Sequence, residues 1–362
     1  MSPLQHSNGS RRNPFNLGVF TRLVDRVSPT EIYARGLDLL ERAEQLGFDT
    51  AWVAQHHAHF EGGLPSPLVF LSAAAQRTSR ITLVTGIITL PLEQPLRLAE
   101  DAAVLHVLSG GRFELGFGSG ANEIVFSLFG RELKQRQADY DRNYVAVRNA
   151  LAGNPLVPDG PTLFPPAPHL LSSMWEAAMS MSSSARAGEH GTRLLLARTG
   201  ARNADAERAH LGQVQRPFVD NYLAHYTGTE RPPRIGLSRS VYVAESRAQA
   251  LADAEAGIRR HAEVLAQRTG LRPDLSTEEL LRRQDVHIGT PEEVIESLRA
   301  DPLLEIATDL ILQVHPVDPP HGKSLRSLEL IATQVAPALG WQPGAQLDRA
   351  LVGGVAPTEN RA

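Results

Sequence analysis

The chain has 362 residues, 42% of them hydrophobic and 21% charged, which provides a large buried core and excludes wholesale disorder. Its 36 basic and 40 acidic residues are well mixed and leave a net charge of −4, so no nucleic-acid or anionic-membrane partner is expected. Cysteine is absent, which removes disulfides, thiolate metal sites and cysteine nucleophiles. No apolar run approaches the ~18 residues of a membrane span. The N-terminus, MSPLQHSNGSRRNPF, carries an Arg pair with no signal-peptide core behind it, so a cytoplasmic location is expected.

In chain order, Leu17–Phe20 (LGVF) is the first short apolar run, and Pro29-Thr30-Glu31 opens a helix ending before Gly47. Thr50–Ala54 (TAWVA) reads as a second strand, followed by a helix from about Pro65 to Thr78. Ile81–Leu90 is β-branched and continuous, as a strand buried on both faces should be. Pro95 starts a helix ending at Ser109, and Gly110-Gly111 turns the chain into Phe113–Phe117. A long loop, 118–137, precedes a helix near Ala138–Leu151 and a proline-rich connector from Pro155 to Pro168. Ser173–Ala177, Arg193–Ala197, Ser238–Val243 and Asp309–Val314 read as strands five to eight. Helices are expected at Ser182–His190, Ala204–Tyr226, after Val243, at Thr290 (Thr290-Pro291-Glu292-Glu293) and over Ser324–Leu339. Residues 265–284 are polar and read as an insertion.

Eight strands alternating with helices predict an α/β fold, a single-domain (β/α)8 TIM barrel over residues 14–342 with insertions in its second half. Residues 1–13 and 343–362 are expected to be disordered tails. Chemistry in such a barrel gathers past the C-terminal strand ends. Those positions are Thr21, Arg22, Gln55, His56, His57, Thr85, Gly86, Thr89, Gly118, Ser119, Gly120, Ser180, Ser183, Arg198, Thr199, Gln313 and His315. Few are carboxylates, which argues against a paired-carboxylate glycosidase.

Imidazoles titrate near neutrality, so His56 and His57 are candidates for moving a proton; solvation or packing against a loop is the plainer alternative. The run SMSSSAR (Ser180–Arg186) falls at a helix start, where hydroxyls cap the first turn and free amides suit a phosphate. GFGSG (Gly116–Gly120) lacks the third glycine of a dinucleotide loop and does not enter a helix directly, so a Rossmann site is rejected. No metal site is predicted. His56, His57, His59 and Glu61 with His169, His210, His315 or Asp318 make only a loose ligand set.

GFDTAWVAQHH and TGIITLPLEQPLRLAEDAAVLHVLSGGRFELGFGSG resemble the second to fourth strands of the bacterial luciferase-like monooxygenases; WEAAMS…ARAGEHG and IGTPEEVIESL are similar too. The resemblance spans roughly Leu17 to Trp341. It implies a flavin-dependent (β/α)8 oxidoreductase, most often a two-component monooxygenase. Such an enzyme binds reduced FMN from a separate NAD(P)H:flavin reductase and uses O2 on a small organic substrate. The resemblance gives His56 and His57 the catalytic positions. It gives flavin contacts to Thr85, Gly86, Ile87, Ser119, Gly120, Ser180, Ser183 and Arg198, with a bulged, non-proline cis bond at Gly86-Ile87. It also implies a homodimer through helices of the first half. Two positions depart from it. The family's Glu before the histidines is Gln55, and the phosphate-pairing Arg of its fourth strand is Ser119, leaving Arg198, Arg131 or Arg136 as the cation. The deazaflavin F420, used by related barrels in dehydrogenases and reductases, is the alternative cofactor. A flavin-binding protein without turnover is the other alternative.

Overall fold

The computed structural model describes residues 12–58, 62–200, 210–229, 231–269, 274–314 and 316–347. The strands are β1 (Arg12–Asn13), β2 (Asn16–Thr21), β3 (Thr50–Val53), β4 (Thr82–Thr85), β5 (Ile88–Thr89), β6 (Phe113–Glu114) and β7 (Gly116–Gly118). They continue with β8 (Trp175–Ala178), β9 (Arg193–Leu196), β10 (Ile235–Val243), β11 (Val286–Gly289), β12 (Asp309–Gln313) and β13 (Gln346–Leu347). Between them run α1 (Pro29–Gln45), α2 (Pro67–Arg77), α3 (Pro95–Leu108), α4 (Glu123–Leu128), α5 (Arg136–Leu151) and α6 (Met181–Glu189). The later helices are α7 (Leu211–His225), α8 (Arg247–Thr269), α9 (Thr277–Arg283), α10 (Pro291–Arg299), α11 (His321–Leu330) and α12 (Ala336–Ala338).

Helix starts follow local chemistry. Proline occupies the first turn of α1, α2, α3 and α10, where a missing N–H costs nothing. Ser28 caps α1 through the Glu31 amide, and Thr290 with Glu293 forms a reciprocal capping box on α10. None of the described helices is long and apolar enough to cross a membrane.

The main sheet is parallel in every ladder and ordered β5-β7-β8-β9-β10-β12-β2-β3-β4-β6. It is curled, and the path is open, ending at β5 and β6. Only Gly86 and Ile87 separate β4 from β5, and only Leu115 separates β6 from β7. The continuous third and fourth strands expected from sequence are therefore each broken in two. β11, unexpected beside the polar segment 265–284, pairs with the C-terminal half of β10. It is only four residues long, and a strand that short borrows its stability from the neighbour it joins. The expected long loop at 118–137 contains α4, capped by the Asn122 side chain on the amides of Ile124 and Val125. Arg12–Asn13 and Gln346–Leu347, expected within the tails, pair with each other. Residues 1–11, 201–209 and 348–362 lie outside the described residues, and with them positions 204–209 of the expected Ala204–Tyr226 helix.

The principal core fills the space between sheet and helices. A second cluster, Trp52, Val84, Trp175, Leu195 and Ile311 with Phe20, Ile87 and Ala177, packs on the inner face of the curl. Trp52 and Trp175 meet edge to face with centroids 5.0 Å apart. Toward the N-terminal strand ends, Trp175 Nε1 donates to Glu114 (2.7 Å) and the Arg193 and Arg234 guanidinia lie over its ring. Burial alone would raise the Glu114 carboxyl, but Arg193 and Arg234 hold it below the usual range. An ion-paired floor and an apolar plug thus occupy the N-terminal half of the curl. The C-terminal strand ends are left to carry a site.

Candidate functional site

β3 delivers the histidine pair. Trp52 packs on the inner face, and Ala54, Gln55 and His56 follow directly past the end of the strand, with the Gln55 side chain bonded to Glu93 and Thr89 N. The His56 amide donates to Leu64 O (2.9 Å), fixing the loop that follows. His57 is half-buried, with its ring edge-on to Phe129 at 4.6 Å. Its Nε2 is buried and has no hydrogen-bond partner among the described residues. Burial pushes this imidazole's pKa down, so it is neutral at pH 7.

The third and fourth strands interlock closely. Thr85 is fully buried, and its hydroxyl donates to Gly116 O (3.1 Å) and accepts from Gly116 N (2.7 Å). That hydroxyl is therefore committed to the scaffold. The Gly86-Ile87 peptide bond is cis. A Cβ on Gly116 would sit 2.1 Å from Thr85 O, and one on Gly118 would sit 2.7 Å from Ile87 Cδ1. Only glycine fits at 116, where the neighbour is backbone, and a side chain at 118 would have to displace Ile87. Gly120 has φ +69° and ends the strip beside partly exposed Ser119.

Ser180 and Ser183 do cap α6. Ser183 N donates to Ser180 Oγ (3.2 Å), and Ser183 Oγ accepts from the amides of Met179 (3.2 Å) and Ser180 (3.1 Å). The two hydroxyls also lie 2.9 Å apart. Both serve the helix itself, so an anion arriving there would compete with the capping box or use exposed Ser182. Arg198 is half-buried two residues beyond β9, Arg131 is exposed and Arg136 is half-buried.

Two features, Ser240 and Glu93, carry no mark in the sequence reading. Ser240 Oγ and Gln313 Oε1 are buried, lie in register across β10 and β12, and lack hydrogen-bond partners among the described residues. Gln313 had been placed at a strand end, whereas Ser240 had not, although Ser-Arg-Ser at 238–240 alternates visibly within an apolar strand. Glu93 is the second. Its Oε1 accepts from Gln55 Nε2 at 2.7 Å, so a carboxylate stands beside the amide where the family pattern puts one in position 55 itself.

A potential metal cluster lies elsewhere, behind the wall. His210, His287 and Asp301 bring ligand atoms within 4.8 Å of one another. Arg239, fully buried, already donates to Asp301 from Nε at 2.6 Å, placing a cation where a metal would sit. His287 lies at 2.7 Å from Ser297 Oγ and is pushed down to about 3, first by burial and then by Arg239. His59, Glu61 and His315 lie outside the described residues. Asp318 is bound by Arg260 (3.0 Å), and His169 stacks near His106. A recess of about 1290 Å3 opens at the opposite, N-terminal face and is lined by Arg148, Arg193, Arg231 and Arg234. Arg193 and Arg234 are spent there on Glu114 and Asp309, and none of the sequence-selected site residues borders it.

His57 Nε2, Ser240 Oγ and Gln313 Oε1 are thus buried polar atoms without partners among the described residues, and Phe20, Ile87 and Ala177 pack with the inner apolar cluster. Comparison with known proteins identifies the family. Residues 15–304 match the luciferase-like monooxygenase family profile. The 4-hydroxyprotoasukamycin monooxygenase of Streptomyces nodosus subsp. asukaensis is 30% identical, over 84% of this chain and 86% of its own length. The crystal structure of monooxygenase RslO1 from Streptomyces bottropensis superposes with a TM-score of 0.74 at 26% identity, covering 89% of this chain and 99% of that one. The oxygenating constituent of 3,6-diketocamphane monooxygenase from Pseudomonas putida, solved with FMN, shares the fold with a TM-score of 0.69 at 19% identity, covering 92% and 99%. This chain belongs to the luciferase-like monooxygenase family.

Proposed function

We propose that this chain is the oxygenase component of a two-component flavin-dependent monooxygenase. It takes reduced FMN from a separate NAD(P)H:flavin reductase and uses O2 on a small organic substrate. The observation that carries the reading is that His57 Nε2, Ser240 Oγ and Gln313 Oε1 are buried without hydrogen-bond partners among the described residues, the last two in register on β10 and β12; the reading assigns them to one flavin site. A structural neighbour solved with FMN supports the cofactor, and a relative described as the oxygenase component of a flavin-dependent trigonelline monooxygenase supports the two-component arrangement. Bound reduced FMN would supply the electrons that activate O2.

The chain's own residues supply the remainder. His56, just past the end of β3, holds or releases a proton at the mouth. His57, kept neutral by burial, accepts one at Nε2. Gly118, Ser119 and Gly120 let a ring approach the backbone, and Ser180, Ser182, Ser183 and Arg198 serve the phosphate end. The reading includes closure of the curled sheet into a (β/α)8 barrel, because its two ends are the halves of the same two broken strands. It also includes a homodimer through exposed Val69 of α2 and Val104, Val107 and Leu108 of α3.

Ser119, where the family resemblance puts a cation, favours F420 as a second reading. The two cofactors separate in a stopped-flow test. The chain is expected to slow the reoxidation of FMNH2 by O2, followed as the return of oxidised-flavin absorbance. An unchanged rate would contradict the FMN reading.

A further inference from the structure

We propose that Glu93 is a positioning residue of this site: through the Gln55 amide it holds the end of β3 that carries His56 against the segment after Gly86-Ile87. The inference rests on the flavin reading above and adds to it a residue that the family resemblance does not single out. Gln55 is buried, and its backbone N–H and both polar atoms of its side-chain amide are engaged. Its backbone N–H donates to Ile87 O (3.3 Å), and its Oε1 accepts from Thr89 N (2.7 Å). Nε2 donates to Glu93 Oε1 (2.7 Å) and reaches Pro65 O at 3.4 Å. Because Thr89 N demands an oxygen, the amide can face only one way, with its NH2 toward Glu93. The residue pair is thus chemically matched. A carboxylate at 55 could satisfy Thr89 but would have no proton to offer Glu93.

Glu93 is itself anchored from behind. Asn143 Nδ2 donates to the carbonyls of Leu90 and Glu93, both at 3.0 Å. The groups facing its carboxyl are neutral Gln55 and acidic Asp101, and no cation pairs with it among the described residues. Burial, opposed by the Gln55 bond, raises its pKa. An acid with a raised folded pKa favours the fold below the ordinary carboxylate range and loses that advantage as pH climbs through the raised value. Above that raised value the carboxylate therefore costs the fold stability, while its charge strengthens the bond that locks Gln55.

Four variants test this, each read by unfolding midpoint without ligand and by anaerobic FMNH2 titration. Glu93→Gln is expected to keep or raise the midpoint, more so at pH 8 than at pH 5, yet weaken FMNH2 binding severalfold. Glu93→Ala, which removes the acceptor, should weaken binding tenfold or more. Gln55→Glu sets two carboxyls against each other, so its binding should deteriorate from pH 6 to pH 8. The exchange Gln55→Glu/Glu93→Gln rebuilds the bond with its polarity reversed and should bind within threefold of wild type. Wild-type affinity in both Glu93 variants, or no recovery in the exchange, overturns the role of Glu93 alone. Failure of the wild type to bind FMNH2 overturns the flavin reading and this inference with it.

Discussion

Glu176→Ala is expected to cost about 3–5 kcal/mol of stability, read as a lowered urea midpoint, because it strands a set of buried partners. Glu176, on β8, is fully buried and turned toward α5 and α6. One carboxylate oxygen accepts from Tyr140 OH (2.7 Å) and Arg186 Nε (3.2 Å). The other meets His190 Nδ1 (2.7 Å) and accepts from Thr192 Oγ1 (2.9 Å). The Arg186 guanidinium also lies over the Tyr140 ring at 3.9 Å, and His190 stacks on Tyr144 at 4.0 Å. Removing the carboxylate leaves the buried Tyr140 hydroxyl and Arg186 Nε without their acceptor, while Thr192 keeps Ala187 O and the guanidinium keeps Gln137. Burial pushes the Glu176 carboxyl up, but His190, Tyr140 and Arg186 together bring it below its ordinary range. Its stabilisation is therefore present above the unfolded carboxylate value of about 4.3 and disappears as pH falls through the depressed folded value. The stability gap between wild type and Glu176→Gln should accordingly narrow on acidification below about pH 4. A gap independent of pH would contradict the charge-based account.

His56→Ala is expected to lower turnover of the reconstituted enzyme by about 10²–10⁴, the usual worth of a positioned acid or base. The unfolding midpoint should scarcely move, since the imidazole is partly exposed and lies outside the apolar clusters. His57→Ala should behave differently. It removes an edge-on contact with Phe129, worth about 0.5–1.5 kcal/mol, and so loosens the end of α4 as well as the site. With burial depressing His57, the acid limb of the pH–rate profile should fall below the ordinary histidine value of about 6.5. Equal turnover in His56→Ala and wild type would remove His56 from the chemistry.

Much of this molecule is written locally in its sequence. Helices that begin with Pro29, Pro95 or Thr290-Pro291 were placed to within a few residues, because the start of a helix is set by the cap and first turn. β3, β9 and β12 were legible as short apolar runs buried on both faces. What escaped was set by distant partners. β11 exists because β10 offers it an edge, and the breaks in the third and fourth strands follow from the fit of Thr85, Ile87, Gly116 and Gly118. The site divides in the same way. His56, Gly86 and Ser180 stand where strands end, a position readable from the pattern alone. Glu93 lies 38 residues from Gln55 in a stretch, LPLEQP, that reads as a turn, and no local signal marks their contact. Capping by Ser180 and Ser183 was equally readable, but only the structure shows their hydroxyls committed to each other.

The most direct test of the central claim is thermal unfolding of the purified chain with excess FMNH2 under anaerobic conditions, with FMN and with F420 in parallel. A ligand held at ~100 times its dissociation constant stabilises by ~2.7 kcal/mol, which raises the midpoint by several degrees. The account predicts the largest rise with FMNH2 and a smaller one with FMN. A rise with F420 alone would contradict oxygenase chemistry in favour of hydride transfer, and no rise with any of the three would contradict a flavin site at the strand ends.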